Sequence, residues 1–291
     1  MNNGEILRKI LDSNKTITLP GVYDCLSALI AEKAGFKCLF TSGFGISASA
    51  FGKPDYGIIT STEMISVIKN IINSINVPLV VDLDTGYGNA LNVISNVKEV
   101  CRLGAAGFIL EDQAWPKRCG HMDGKKVIEA EEYIEKLRAA KYASEQYNSI
   151  IIVRTDSYAV NGLDDAIKRG HKYFKAGADI LFIEAPGKVE DLKAISEEFK
   201  GKWLFANMVE GGKTPILSHN QLESLGFKVV VYPLTGLFSS INALTMSYNH
   251  LISNNTSEGY EEMITFSDYE ELIGLENYKE IENKFSRRKL L

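Results

Sequence analysis

The chain has 291 residues, a formal net charge of −5, 45% hydrophobic and 24% charged residues. That balance excludes wholesale disorder and argues against a nucleic-acid partner held mainly by charge. No apolar run reaches the ~18 residues of a membrane helix, and the opening MNNGEILRKILDSN lacks the long apolar region of a signal peptide. Four cysteines make no disulfide framework in this length, and with no export signal they point to a reducing cytoplasm. The size allows two domains of ~150 residues or one barrel of ~250.

TITLPGVYD (16–24) supplies a first strand and LSALIAEKAG (26–35) a first helix. AGFKCLFTS (34–42) is the next strand, followed by the helix STEMISVIKNIINSI (61–75) and the strand NVPLVVDLD (76–84). NVISNVKEVCRLG (92–104) then leads into LGAAGFILED (103–112), and AEEYIEKLRAAKYASEQY (130–147) into NSIIIVRTD (148–156). LDDAIKRGHKYFKAG (163–177) precedes AGADILFIEA (176–185), VEDLKAISEEF (189–199) precedes KWLFAN (202–207), and HNQLESLG (219–226) precedes LGFKVVVYP (225–233). A long helical stretch from Leu237 to Ile252 completes the alternation. The apolar runs read as strands buried on both faces, and several follow a glycine that can end a helix in the left-handed conformation. About eight strands alternating with eight helices predict a parallel sheet closed as a (β/α)8 TIM barrel. The expected division is a catalytic barrel over 1–253 and a helical tail over 254–291, in which 267–285 reads as one or two short amphipathic helices.

A barrel places chemistry at the C-terminal ends of its strands. Those ends carry Asp24, Ser42-Gly43, Asp82, Asp84, Glu111-Asp112, Arg154, Glu184, Asn207 and Pro233. Asp82, Asp84, Glu111 and Glu184 come from three strands that a barrel brings to one mouth. Converging carboxylates repel and need a counter-charge. Oxygen donors without histidine point to Mg²⁺, with Mn²⁺ as the other candidate. Asp82 and Asp84, spaced i, i+2 in VDLDTGYGN, can lean to one side of a strand end.

The segment EDQAWPKRCGHMDGKK (111–126) is a long loop with turn residues Pro116, Gly120 and Gly124. Its Cys119 stands among Lys117, Arg118 and His121, and cationic neighbours are expected to lower its thiol pKa toward neutrality, where it acts as a general acid. Cys25, Cys38 and Cys101 lie in apolar periodic contexts and read as core. Cys-x-His gives two ligands at poor spacing for zinc. Two weak motifs fail. Gly43-x-Gly45-x-x-Ala48 is interrupted by FGKPDYG and lacks an acidic residue ~20 positions on. EGGKT (210–214) has Asn207 where a phosphate loop needs its first glycine.

With SGFG (42–45), GKPDYG (52–57), VDLDTGYGN (81–89), EDQ…PKRCGH (111–121), RTD (154–156), IEAP (183–186), ANMVEGGKTP (206–215) and YPLTGLF (232–238) in order, the chain resembles the isocitrate lyase/phosphoenolpyruvate mutase superfamily over nearly its whole length. The resemblance implies a homotetramer, a dimer of dimers that exchange the last barrel helix. It makes Asp82 and Asp84 metal-site carboxylates, with Asp55 and Glu111 holding metal-bound waters. Ser42, Gly43 and Phe44 would cradle the α-oxyacid carboxylate, and Arg154, Glu184, Asn207, Gly120 and His121 the rest of the substrate. Lys117, Cys119, His121, Arg154 and Glu184 form the catalytic set. The Lys-Arg-Cys-Gly-His loop marks the carbon–carbon lyase branch, in which the Cys protonates the departing carbanion as the loop closes.

The departures bear on the substrate. Methylisocitrate lyases carry an Arg just after the YPL segment and another in the tail, where this chain has Phe238 and the Arg-free ITFSDYEEL (264–272). A carboxylate buried without a cation is costly. The expected substrate is therefore a small 2-hydroxy dicarboxylate, a 2-alkyl- or 2,3-dialkylmalate, and the DTGYGN, NMVEGGKTP and ELIGLENY segments resemble the dimethylmalate lyase and petal-death-protein branch more closely. The alternatives are 2-methylisocitrate cleavage, a carboxyphosphonoenolpyruvate phosphonomutase or oxaloacetate-acting relative, and a non-catalytic oxyacid-binding barrel. The Tyr that many methylisocitrate lyases place two residues before the Ser is Phe40 here, so the general base stays unassigned.

Overall fold

The computed structural model describes residues 1–13 and 15–286. The elements run α1 (Asn3–Asp12), β1 (Ile17–Val22), α2 (Cys25–Lys33), β2 (Leu39–Thr41), α3 (Gly43–Phe51), α4 (Ser61–Ser74), β3 (Leu79–Asp82), α5 (Ala90–Leu103) and β4 (Gly107–Glu111). They continue with α6 (Ala130–Ser144), β5 (Ile150–Thr155), α7 (Ser157–Asn161), α8 (Leu163–Ala176), β6 (Ile180–Ile183), α9 (Val189–Glu198), β7 (Trp203–Asn207), α10 (His219–Leu225) and β8 (Val229–Tyr232). Three helices follow: α11 (Thr235–Asn254), α12 (Phe266–Leu272) and α13 (Leu275–Phe285). The eight strands are parallel and close in sequence order, with β8 pairing back onto β1. The predicted (β/α)8 barrel is the observed fold, and each predicted strand lies where its apolar run placed it.

Two apolar layers hold the barrel. Leu19, Phe40, Val80, Ile109, Ile152, Phe182, Phe205 and Val231, one from each strand, pack in the interior. Between the strands and the outer helices lies a larger layer that includes Val81, Phe108, Val153, Leu181, Leu137 and Tyr173. Gly104 and Gly177 end α5 and α8 at φ 106° and 113°, the left-handed conformation that the glycine-then-strand pattern requires.

The helix α1 was not expected. Its Leu7 and Leu11, each 1% exposed, belong to the interior cluster with Cys38, Ala106, Ile150, Ile180 and Val229. These residues lie at or just before the N-terminal ends of their strands, so α1 plugs that end of the barrel. Asn2 and Glu5 form a capping box at its start.

The chain divides into compact units Met1–Leu237 and Phe238–Leu291, and the boundary falls inside α11 after its one buried residue, Leu237. α12 and α13 have no buried residues. Where one or two short helices were expected within 267–285, the structure has two, α12 and α13, and residues 287–291 of the expected tail lie outside the described residues. Among the described residues, no helix is long and apolar enough to cross a membrane.

Replacing Leu7 by Ala opens a cavity in the plug and is expected to cost about 2–5 kcal/mol of unfolding free energy. Urea denaturation followed by far-UV circular dichroism measures it.

Candidate active site

The strand ends of the first unit converge on an open cleft lined by Ser42, Gly43, Phe44, Asp55, Asp82, Lys117, Cys119, Gly120, His121, Arg154, Glu184 and Asn207. Phe40, Val209, Pro233 and Leu234 add an apolar wall.

Arg154, at the end of β5, sits at the centre. Its register partner on β4 is Glu111, and its Nε lies 3.3 Å from Glu111 Oε2. Its Nη1 lies 3.1 Å from Glu184 Oε2, just past β6. Its Nε donates to Asp156 Oδ2 at 2.8 Å. Burial works against the Glu184 anion, yet Arg154 and His121 hold its carboxyl below the usual range. Asn207 Nδ2 donates to both Glu184 oxygens at 3.3 and 3.4 Å.

Across the mouth, the Lys117 ammonium pairs with Asp55 and lies 2.8 Å from Asp84 Oδ1. Lys117 is 4% exposed. Asp82 ends β3 and Asp84 follows it, both near Gly43, and Asp82 Oδ1 accepts the Asp84 N–H at 3.1 Å. Asp84 has φ 47°, and Ala185, after Glu184, has φ 56°. Left-handed backbone at non-glycine residues is strained and clusters at functional sites. Burial first, then Asp84, pushes Asp82 up to about 6. Burial also drives Glu111 well above the carboxylate range, and its Oε1 is buried with no hydrogen-bond partner. These are carboxylates short of positive charge.

Among the described residues, no group of three or more His, Cys, Asp or Glu side chains is arranged to hold a metal ion. The donors that do fit are Asp82 and Asp84, an all-oxygen pair. Mg²⁺ is usually bound through one or two carboxylates and keeps several waters. Asp55 and Glu111 stand behind Lys117 and Arg154 rather than completing a cage.

Ser42 caps α3 by accepting the Gly45 N–H at 3.1 Å, which turns the helix N-terminus into the cleft. Gly43 packs closely there, and a Cβ would lie 2.8 Å from Asp82 Oδ2, so that carboxylate would have to shift.

The loop after β4 covers this site. A bridge between Gln113 and Val127 closes its base. Gln113 pins the turn by accepting the Arg118 N–H at 3.0 Å and donating to the Arg118 carbonyl at 2.8 Å. His121 Nδ1 accepts the Lys213 N–H at 2.8 Å from the EGGKT segment. A nitrogen that accepts carries no proton, so the neutral ring bears its hydrogen on Nε2, 3.3 Å from Glu184 Oε1.

The expectation for Cys119 is corrected in one respect. Its thiol is not lowered but pushed up to about 11, by burial first and by Asp55 second. Its cationic neighbours are engaged elsewhere. Lys117 faces Asp55 and Asp84, while Arg118 donates to the Asp123 carbonyl and stacks over Tyr56. Cys119 still lines the cleft and keeps its proton at neutral pH, the form a proton donor needs.

Other strand-end residues have structural duties. Asp24 caps α2, accepting the Ser27 N–H at 2.7 Å. Asp112 points away from the mouth and accepts from Thr155 Oγ1, the Asp156 N–H, Arg169 and Tyr173. Sequence reasoning missed Asp156, Lys125 and Tyr87. Asp156 sat in the RTD segment at i+2 from Arg154, a spacing that could have flagged it.

Fold and cleft together define a (β/α)8 enzyme with its chemistry at the C-terminal face. Residues 7–251 match the family described as phosphoenolpyruvate phosphomutase. The 2,3-dimethylmalate lyase of Eubacterium barkeri is 38% identical over 98% of this chain and 99% of its own length. A 2-methylisocitrate lyase of Halalkalibacterium halodurans is 38% identical over 89% of this chain and 85% of its own. The crystal structure of a phosphonopyruvate hydrolase with oxalate and Mg²⁺ superposes with a TM-score of 0.88 at 26% identity, covering 98% of this chain and 99% of that one. The chain belongs to the phosphoenolpyruvate mutase/isocitrate lyase superfamily and to its carbon–carbon lyases.

At neutral pH few Cys119 thiols are ionised. Iodoacetamide is expected to alkylate Cys119 about a hundredfold more slowly than an ordinary exposed thiol, with the rate climbing toward pH 11. Peptide mass spectrometry of the 113–127 segment measures this.

Proposed function

We propose that the protein cleaves a 2-hydroxy dicarboxylate, a 2-alkyl- or 2,3-dialkylmalate, to a 2-oxo acid and a carboxylate. The observation that carries this reading is the pairing of the cleft's cations. Its lining lysine and arginine are Lys117 and Arg154, and both are already committed to carboxylates. Arg154 can face one far carboxylate, and that lining holds no further lysine or arginine free of a carboxylate for a third, while Phe40, Phe44, Val209 and Leu234 offer apolar surface to alkyl groups. The full-length similarity to a dimethylmalate lyase, tail included, supports the same choice over methylisocitrate.

The α3 N-terminus, with Ser42, Gly43 and Phe44, receives the C1 carboxylate. Arg154, with Glu184, Asn207, Gly120 and His121 around it, orients the far carboxylate. A divalent cation, Mg²⁺ or Mn²⁺, held by Asp82 and Asp84 with Asp55 and Glu111 behind them through water, would supply Lewis acidity to the hydroxyl and carboxylate oxygens. The hydroxyl proton passes to a carboxylate of the cleft lining, C2 becomes a carbonyl, and the C2–C3 bond breaks with its electron pair on C3. Cys119 gives C3 its proton, and the loop keeps water away from the carbanion until it does.

The assembly we propose is a homotetramer of helix-swapped dimers in the cytoplasm. Phe238, Ile241, Leu244 and Leu251 of α11 and Phe266 of α12 are exposed, which supports a covering partner copy.

A panel of 2,3-dimethylmalate, 2-methylisocitrate, oxaloacetate and phosphonopyruvate with Mg²⁺, followed by product release, tests the substrate. Dimethylmalate is expected to turn over fastest, and turnover of methylisocitrate alone would refute the dicarboxylate reading. Excess EDTA is expected to abolish activity and Mg²⁺ to restore it. Cys119→Ser, retaining the fold, is expected to lose at least about a hundredfold in kcat; full activity would remove the proton-donor role.

A further inference from the structure

One group in the covering loop is used by neither the fold nor the chemistry described above. Lys125 is 8% exposed. Its ammonium donates to the Gly120 carbonyl and, at 2.7 Å, to Asp156 Oδ1. Asp156 is fully buried. The same carboxylate accepts Arg154 Nε at 2.8 Å on Oδ2 and Arg154 Nη2 at 3.1 Å on the Oδ1 that takes Lys125. From behind, Asp112 Oδ1 accepts the Asp156 N–H at 2.9 Å. Gly120 is pressed onto the far side of this arrangement. A Cβ there would lie 2.6 Å from Glu184 Cδ and would overlap the Arg154 guanidinium.

We propose that Lys125 is a positioning residue for the lyase reaction. Its ammonium clips the Cys119–Gly120–His121 segment to Asp156, so that the closed loop and the Arg154 guanidinium are fixed by one carboxylate. A lysine suits this role. It carries three donors on a flexible stem, enough for one carbonyl and one carboxylate. An ammonium is kept out of water only when it is paired, and here both partners belong to the closed loop and to the strand end beneath it. Lys125 is not among the residues lining the cleft, so it acts through Asp156 and Gly120 and not on the substrate. Its loss leaves Asp156 paired with Arg154, which should spare the fold and loosen the loop. A loop displaced by about 1 Å can cost a hundredfold in rate.

The inference rests on the cleft being the reaction site, and its test has one readout that does not depend on turnover. In Lys125→Met, hydrogen–deuterium exchange of the Cys119 and Met122 amides is expected to rise at least about tenfold, while the strand amides stay unchanged. With the substrate the wild type cleaves, kcat is expected to fall about ten- to hundredfold and KM to move less than about threefold. Lys125→Arg, which keeps the charge, is expected to recover part of both. Wild-type exchange in Lys125→Met overturns the proposal. So does raised exchange with kcat unchanged, or a rise in KM alone. Should Lys125→Met fail to fold, Lys125→Gln keeps a donor to the Gly120 carbonyl without the charge and is read the same way. If the wild type cleaves none of the malates, the substrate reading fails and the exchange data still decide the clip.

Discussion

Arg154 holds Glu111, Asp156 and Glu184 at one point, three carboxylates that would repel one another without it. The parallel register makes this possible, because it sets Glu111 on β4 beside Arg154 on β5 and ends β6 one residue before Glu184. A guanidinium is planar and presents several donors in a fixed fork, so one residue can satisfy acids on both neighbouring strands. Lys117 repeats the solution on the opposite rim with Asp55 and Asp84, and it does so from the covering loop. Closing the loop and neutralising the mouth are therefore one event.

The rest of the site depends on that balance. Glu184 stays ionised and can receive His121 and Asn207 because Arg154 is beside it. Asp82 and Glu111, further from full compensation, shift toward the neutral form. The barrel supplies the rigidity. Its interior is packed by apolar side chains from all eight strands and stoppered by α1, so the strand ends keep their places while the loops differ in their duties.

Most of the architecture was legible because strand and helix periods differ and because each strand end is marked by a polar residue. The α1 plug was not read, although Asn2, Glu5, Leu7 and Leu11 carry a capping box and an i, i+4 apolar pair. The opening residues were weighed only as a signal peptide. Asp24 and Asp112 resembled site carboxylates because sequence gives a strand end but not the direction of the side chain. One caps a helix, and the other faces the outer layer. The thiol of Cys119 was misjudged for a related reason. Adjacent charges in sequence act on a group only if they face it, and Lys117 and Arg118 both turn elsewhere. Lys125 was illegible because its importance lies in a contact with Asp156, 31 residues away in sequence.

The loop also carries Trp115, whose ring lies 5.7 Å from that of Tyr87, and Tyr87 in turn donates to Asp84 Oδ2 at 2.9 Å. The chain has two tryptophans, and the other, Trp203, begins strand β7. One indole is thus fixed in the barrel wall and the other rides on the segment that covers the carboxylates. The difference between their emissions is a built-in optical record of the loop's position, readable without any label.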